Sequence, residues 1–196
     1  AIFLALTSCG GAGADTSDPH PAAEIVPLAS SVDSGRPPED EIVRFREGLP
    51  EPAGLSGGAA TRDALVQEFV RAVEEADTLR LIEMVITRAE FAHLHYPHTP
   101  MASGPAEMGP ELSWFLMLQN SEKGLTRVVR RLGNRPLGYV AHSCDPEPLV
   151  QGPNRVWTHC VLRRVDAEGD TITQRLFGGI LERDSAFKLI SFANEF

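Results

Sequence analysis

Histidine, cysteine and carboxylate side chains gather at two places along the 196-residue chain. The first holds His142, Cys144, His159 and Cys160, the side-chain types of a zinc site. If the chain folds back near Gly152, position 144 lies opposite 160. His142 then shares their face and stands opposite Leu162, while His159 points to the other face. Three groups at most converge, and an oxidised pair of thiols cannot ligate, so no metal is expected. A Cys144–Cys160 disulfide is the favoured reading. Directly opposed residues in a non-hydrogen-bonded pair bring Cα atoms to ~4.5 Å, within reach of a bridge.

The second place holds Glu90, His93, His95, Tyr96 and His98. An imidazole here offers a general base. On a helix His93 and His95 diverge by about 200°, so they converge only where the chain is extended. His93, His95 and His142 are the candidate bases, and Tyr96 and Tyr139 the candidate donors. Gly54-Leu55-Ser56-Gly57-Gly58 matches a hydrolase nucleophile elbow in letters only, because Pro50 and Pro52 stand where a strand is needed. The chain has no P-loop, HExxH, CxxC or glycine fingerprint after a strand, so no cofactor is expected.

These groups must be carried by elements, and the periodicity suggests which. Thr61 is a credible N-cap for a helix with the apolar stripe Leu65, Val66, Phe69, Val70 and Val73. A second helix restarts at Asp77 or Thr78, with Leu79, Ile82 and Val85 or Ile86 inward. Four prolines between Pro97 and Pro110 make a loop. A third helix runs over 111–132 with Leu112, Phe115, Leu116, Leu125, Val128, Val129 and Leu132, and Gly133 is its left-handed stop. Gly124 is a weak point inside it. Strands follow at 137–144, 155–165, 171–182 and 187–194. Helices first and then a four-stranded antiparallel meander make an α+β domain over 61–196.

Residues 61–196 resemble the nuclear-transport-factor-2-like superfamily, also called SnoaL-like or ketosteroid-isomerase-like. The likeness lies in element order and length, in the opening helix Thr61–Val70, the step Glu75–Leu79 and the closing strand Phe187–Phe192. It implies one curved sheet wrapped around a helix as a cone, with a cavity inside. Tyr96, Trp114, Phe115, Leu118, Tyr139, Trp157 and Phe177 are the candidate lining, with Met117 beside them.

At the N-terminus a short apolar run ends in Leu6-Thr7-Ser8-Cys9. It lacks an initial Met and a basic region, and it reads as the tail of a signal peptide, residues 1–8. The four residues resemble the bacterial lipobox. That resemblance implies cleavage before Cys9, a diacylglycerol thioether on its sulfur and an extracytoplasmic address. Gly10 rather than Asp points to the periplasmic side of an outer membrane in a two-membrane host. Acyl chains at ~0.8 kcal/mol per buried CH₂ make a stable anchor. Cys144 and Cys160 then remain as an even pair in an oxidising compartment.

Residues 9–60 are rich in Gly, Pro, Ser, Ala and Asp, and read as a lipidated disordered tether. Acids after Pro37-Pro38, with Ile42, Phe45 and Leu49 on one face, add a short helix at 39–48. The tether carries nine acids against three arginines over 10–60, most of the net charge of -9. That acidity argues against a nucleic-acid partner. The expected protein is a membrane-anchored module that binds an apolar small molecule or a partner without catalysis. The alternatives are a ketosteroid-isomerase- or dehydratase-like enzyme using a His in the cone, and a homodimeric scaffold joined through its outer sheet face.

Overall fold

The computed structural model describes residues 38–103 and 105–195, and of residues 38 and 39 only the backbone. Cys9, its flanking motif and the tether up to residue 37 lie outside the described residues. The short helix expected at 39–48 is α1 (Pro38–Arg46). Phe45 makes it stick: its ring is buried edge-on to Phe91 at 5.9 Å, and the Arg46 Nε donates to Ala92 O at 3.1 Å. Residues 47–60, tether-like in composition, also join the body. Ala59 exchanges backbone hydrogen bonds with Phe187 at 2.9 and 2.8 Å. A Cβ on Gly58 would stand 2.3 Å from Phe187 O, so a glycine there lets the two backbones meet.

The Thr61 hydroxyl accepts from the Ala64 N–H at 3.1 Å and starts α2 (Arg62–Glu74). Its five-residue apolar stripe is wholly buried, each side chain contributing about 1.5–3 kcal/mol. Helix α3 (Thr78–Glu83) is capped by Asp77. Its phase differs from the expected one: Leu81 and Met84 are buried, while Leu79 and Ile82 are 75% and 58% exposed. Apolar residues sit on both sides of this short helix, and the side that meets the α2 core wins. A Thr87–Glu90 capping box starts α4 (Arg88–Glu90), which runs into a π-turn at Phe91–His95.

Helix α5 (Pro110–Leu132) also turns differently from expectation in its first half. Val128 and Leu132 are buried, but Leu112, Phe115 and Leu116 are 51%, 50% and 40% exposed. Residues 114–118 are apolar all round, so spacing alone does not select the inner side. Helix α5 ends without a left-handed glycine, since Gly133 is extended and the positive φ falls on Asn134.

The strands form two antiparallel sheets. One holds β1 (Tyr139–Ser143), β4 (Val161–Val165) and β5 (Thr171–Gln174) in the order β1-β4-β5. The other holds β2 (Leu149–Gln151), β3 (Asn154–Trp157), β6 (Ile180–Arg183) and β7 (Ala186–Leu189) in the order β2-β3-β6-β7. The expected α+β fold with one curved four-stranded sheet as a cone is therefore incorrect, and the family resemblance loses the fold it implied.

The cause is local. The stretch 155–165 breaks at His159, whose φ is 48°, outside the β region. The stretch 171–182 breaks at Gly178-Gly179, where a Cβ would stand 2.6 Å from Ser191 Oγ or 3.1 Å from Trp157 O. The hairpin of these two stretches thus gives its tip, β4 with β5, to the first sheet and its base, β3 with β6, to the second. The inner strands of the second sheet carry buried residues on both faces. Ile180 and Leu189 meet α2 and the end of α5, whereas Val156 and Leu181 meet Phe45, Phe91 and Tyr96.

Candidate functional site

An apolar cleft opens between α3 and α5, floored by the chain that continues from β7. Trp114, Met117, Leu118, Ser121 and Leu125 form its α5 wall, at the spacing of one helical face. Ile82, Val85 and Ile86 form the facing wall, Ile190 and Phe192 the floor, and the space is about 330 Å³. The floor is hydrogen-bonded to the α5 wall. The Phe192 N–H donates to Ser121 Oγ at 3.0 Å, and Asn194 Nδ2 donates to Gly124 O at 2.9 Å. Gly124 is what permits this, because a Cβ there would stand 1.7 Å from Phe192 O.

Thr87, Arg88 and Glu122 supply the polar edge. Arg88 is held by Glu111 at 3.0 Å and lies 4.6 Å over the Phe45 ring. A larger hollow of about 460 Å³ lies between α1 and the start of α5, but Glu41, Arg44 and Glu111 make its walls charged. The apolar cleft offers an occupant more, because the gain on entry scales with apolar surface removed from water.

Of the residues read as pocket lining, Trp114 and Leu118 are in this cleft and Met117 joins them. Phe115 stands outside it on the solvent face of α5. Tyr96 is core, its hydroxyl donating to Met108 O at 2.9 Å. Phe177 is fully buried, 5.0 Å from Phe69. Tyr139 and Trp157 lie elsewhere, with no cone to gather them. Ile82, Val85, Ile86, Leu125, Ile190 and Phe192 were read from the sequence as inward helix or strand residues, not as pocket lining. The available signal was the apolar run at 114–118, more than one helix face can bury.

Trp157 and Tyr139 belong to a polar region at the start of α2. The Arg62 guanidinium stacks 4.1 Å over the Trp157 ring, whose Nε1 donates to Glu182 at 2.8 Å. His142 is held between the Tyr139 hydroxyl, 3.0 Å from Nδ1, and the Asp63 carboxylate, 3.4 Å from Nε2. Burial pushes its pKa down and Arg62 adds to this, against the pull of Asp63. The Tyr139 phenol is pushed up by burial and by Asp63. Both ring nitrogens of His142 are engaged, so the group ties β1 to α2.

The register read from the sequence holds at His142. It pairs with Leu162, and Cys144 and Cys160 are disulfide-bonded with Cα atoms 3.9 Å apart. The bridge lies where the hairpin passes from one sheet to the other. Beside it, Asp145 accepts from Thr158 Oγ1 at 2.6 Å and lies 2.7 Å from His159 Nδ1. Those two contacts hold the Asp145 carboxyl below its ordinary value. The Thr158 hydroxyl meets the carboxylate rather than the imidazole, so this is not a nucleophile–base pair.

His95 is buried against Phe91, and its Nδ1 has no hydrogen-bond partner. His93 is half-buried in the same π-turn, with Nε2 unpartnered. Glu90 is a structural hub. It accepts from the N–H and hydroxyl of Ser56, from the Thr87 N–H, and from Lys188 Nζ at 2.9 Å, with both charges buried. Burial pushes the Glu90 carboxyl up, but these donations together outweigh it and hold the group low. The Ser56 hydroxyl is thus spent on a carboxylate that pins the glycine-rich segment to β7. Among the described residues no His, Cys, Asp and Glu cluster could hold a metal ion, and no helix is long and apolar enough to cross a membrane. No protein-family model matches the chain, and neither a curated protein nor a solved structure matches it.

Proposed function

We propose that the chain is a lipid-anchored extracytoplasmic binding module whose cleft between α3 and α5 holds a small apolar molecule. The apolar cleft carries this reading. Its volume is at the lower end of small-molecule sites, and its α5 wall is hydrogen-bonded to the floor through Ser121 and Gly124. The candidate bases His93, His95 and His142 are not among its lining residues, so binding is favoured over catalysis. Burying ~200 Å² of ligand at ~25 cal/mol per Å² gives about 5 kcal/mol, a dissociation constant on the order of 0.1–1 mM.

The chain has two tryptophans, so Trp157→Phe leaves Trp114 as the sole reporter. Titration with decanol should give a saturable blue shift. Leu118→Asp, at the exposed lip, should weaken binding roughly tenfold or more while the protein still melts cooperatively. A shift that never saturates, or one that Leu118→Asp leaves unchanged, would remove the cleft as the site.

The anchor rests on Leu6-Thr7-Ser8-Cys9, and the Cys144–Cys160 bridge supports an oxidising compartment. Expressed from the full gene in a bacterium, the protein should take up an alkyne fatty acid, and Cys9→Ser should not. Equal labelling of both would refute the assignment.

A further inference from the structure

We infer that a pocket between the end of α5 and the β4–β5 turn is a binding site for a small zwitterion of the amino-acid type, separate from the cleft and independent of what the cleft holds. Arg164 is the residue that the fold leaves incomplete. It lies on β4, the middle strand of the first sheet, opposite Tyr139 on β1 and Ile172 on β5. Strand alternation puts it on the same face as Leu162. That face is the buried one, since Leu162 is wholly buried and Arg164 is only 9% exposed. A guanidinium taken out of water needs an anionic partner to offset its lost hydration. This one has a neutral partner instead. Its Nε donates to Gln174 Oε1 at 2.8 Å, and no carboxylate among the described residues stands at ion-pair distance. Its two Nη groups meet no acceptor among those residues, and Arg164 lines a pocket of about 220 Å³.

The other lining residues identify the occupant. Arg135 brings a second guanidinium, Asp166 and Glu168 bring carboxylates, and Leu132, Leu137 and Val165 give apolar walls. Asp166 is not the counter-ion of Arg164. Its Oδ1 accepts from the N–H groups of Glu168 and Asp170 at 3.1 and 2.9 Å and closes the β4–β5 turn. Glu168 is exposed on the same turn, and both acids act on Arg164 only at longer range. The pocket therefore holds two cations and two anions that do not neutralise one another by contact. A plain anion would meet two carboxylates there, and a plain cation two guanidinium groups. A molecule with a carboxylate at one end and an ammonium at the other meets both with the right sign. Its carboxylate on Arg164 makes charge-assisted hydrogen bonds, the strong kind. At ~30 Å³ per water the space equals about seven waters, the size of a small aliphatic amino acid whose side chain rests on Leu132 and Leu137.

The test is methyl NMR on the full-length protein, labelled at Ile, Leu and Val and titrated with unlabelled L-valine. Isovalerate and isobutylamine are the same skeleton without the ammonium and without the carboxylate. L-Valine should shift Leu132, Leu137 and Val165 along one saturating curve and leave Ile82 and Leu118 of the cleft in place. Each truncated probe should bind roughly tenfold more weakly or worse. Arg164→Gln should abolish the shifts. Arg135→Gln, at an exposed site, should weaken L-valine and isovalerate alike with the melting temperature unchanged. Glu168→Gln, also exposed, should weaken L-valine and leave isovalerate no weaker. The absence of a saturable shift with L-valine overturns the inference. So does binding that survives Arg164→Gln in full, or either truncated probe binding as tightly as L-valine. Should Arg164→Gln fail to fold, the two exposed variants carry the test, and L-valine binding indifferent to both overturns it.

Discussion

His95 carries the clearest pH signature of any single residue. Burial, and then the neighbouring His98, push its imidazole down to about 4 from an ordinary 6.5. The sign follows from which state binds the proton. Above pH 6.5 the imidazole is neutral in both states and costs nothing. As pH falls from 6.5 to about 4, the unfolded chain takes up a proton that the folded protein refuses, so stability falls. The slope approaches about 1.4 kcal/mol per pH unit, roughly 3 kcal/mol in all, and levels off once the folded protein is protonated too. His98 and His142 are shifted the same way and remain in a His95→Leu variant. Urea midpoints taken between pH 7 and pH 4 should therefore fall less steeply in that variant than in the wild type. Parallel curves would show that His95 does not carry the effect.

The elements that were legible in the sequence are those set by short-range rules. Thr61 and the α2 stripe needed only a cap and a period. The disulfide needed a register, which a turn near Gly152 supplied and the observed His142–Leu162 pairing matches. The breaks at His159 and Gly178-Gly179 were not legible, because a positive φ or a close backbone approach depends on chain far away in sequence. The orientations of α3 and of the first half of α5 failed for another reason. Each has apolar residues on more than one side, and tertiary contact selects among them. Gly124 lies between these cases: it was visible as a helix weakness, but its purpose was not. Alanine there would add about 1 kcal/mol of helix propensity. Its Cβ would nevertheless meet Phe192 O, part of the cleft floor. Gly124→Ala should lower stability by about 1–3 kcal/mol or more, the scale of forced overpacking, read from the denaturation midpoint. A more stable variant would mean that the floor does not cross α5 where described.

At the scale of the whole molecule, β3, β6 and β7 of the second sheet carry buried residues on both faces, and one face shares a core cluster with α2 and the end of α5. Glu90, Lys188 and Ser56 hold the glycine-rich segment to that sheet, and Asn194 and Ser121 hold its continuation to α5. What stays open is the cleft between α3 and α5, left apolar because neither Ile82 nor Leu118 finds a covering partner among the described residues. Binding in that cleft is the central claim, and methyl NMR on a protein labelled at Ile, Leu and Val tests it most directly. Titrated with decanol, Ile82, Ile86, Leu118, Leu125 and Ile190 should shift together along one saturating curve. Leu65, Val66 and Val73 in the α2 core should stay in place. Shifts spread evenly over both sets, or none in the cleft methyls up to the solubility limit of the probe, would contradict it.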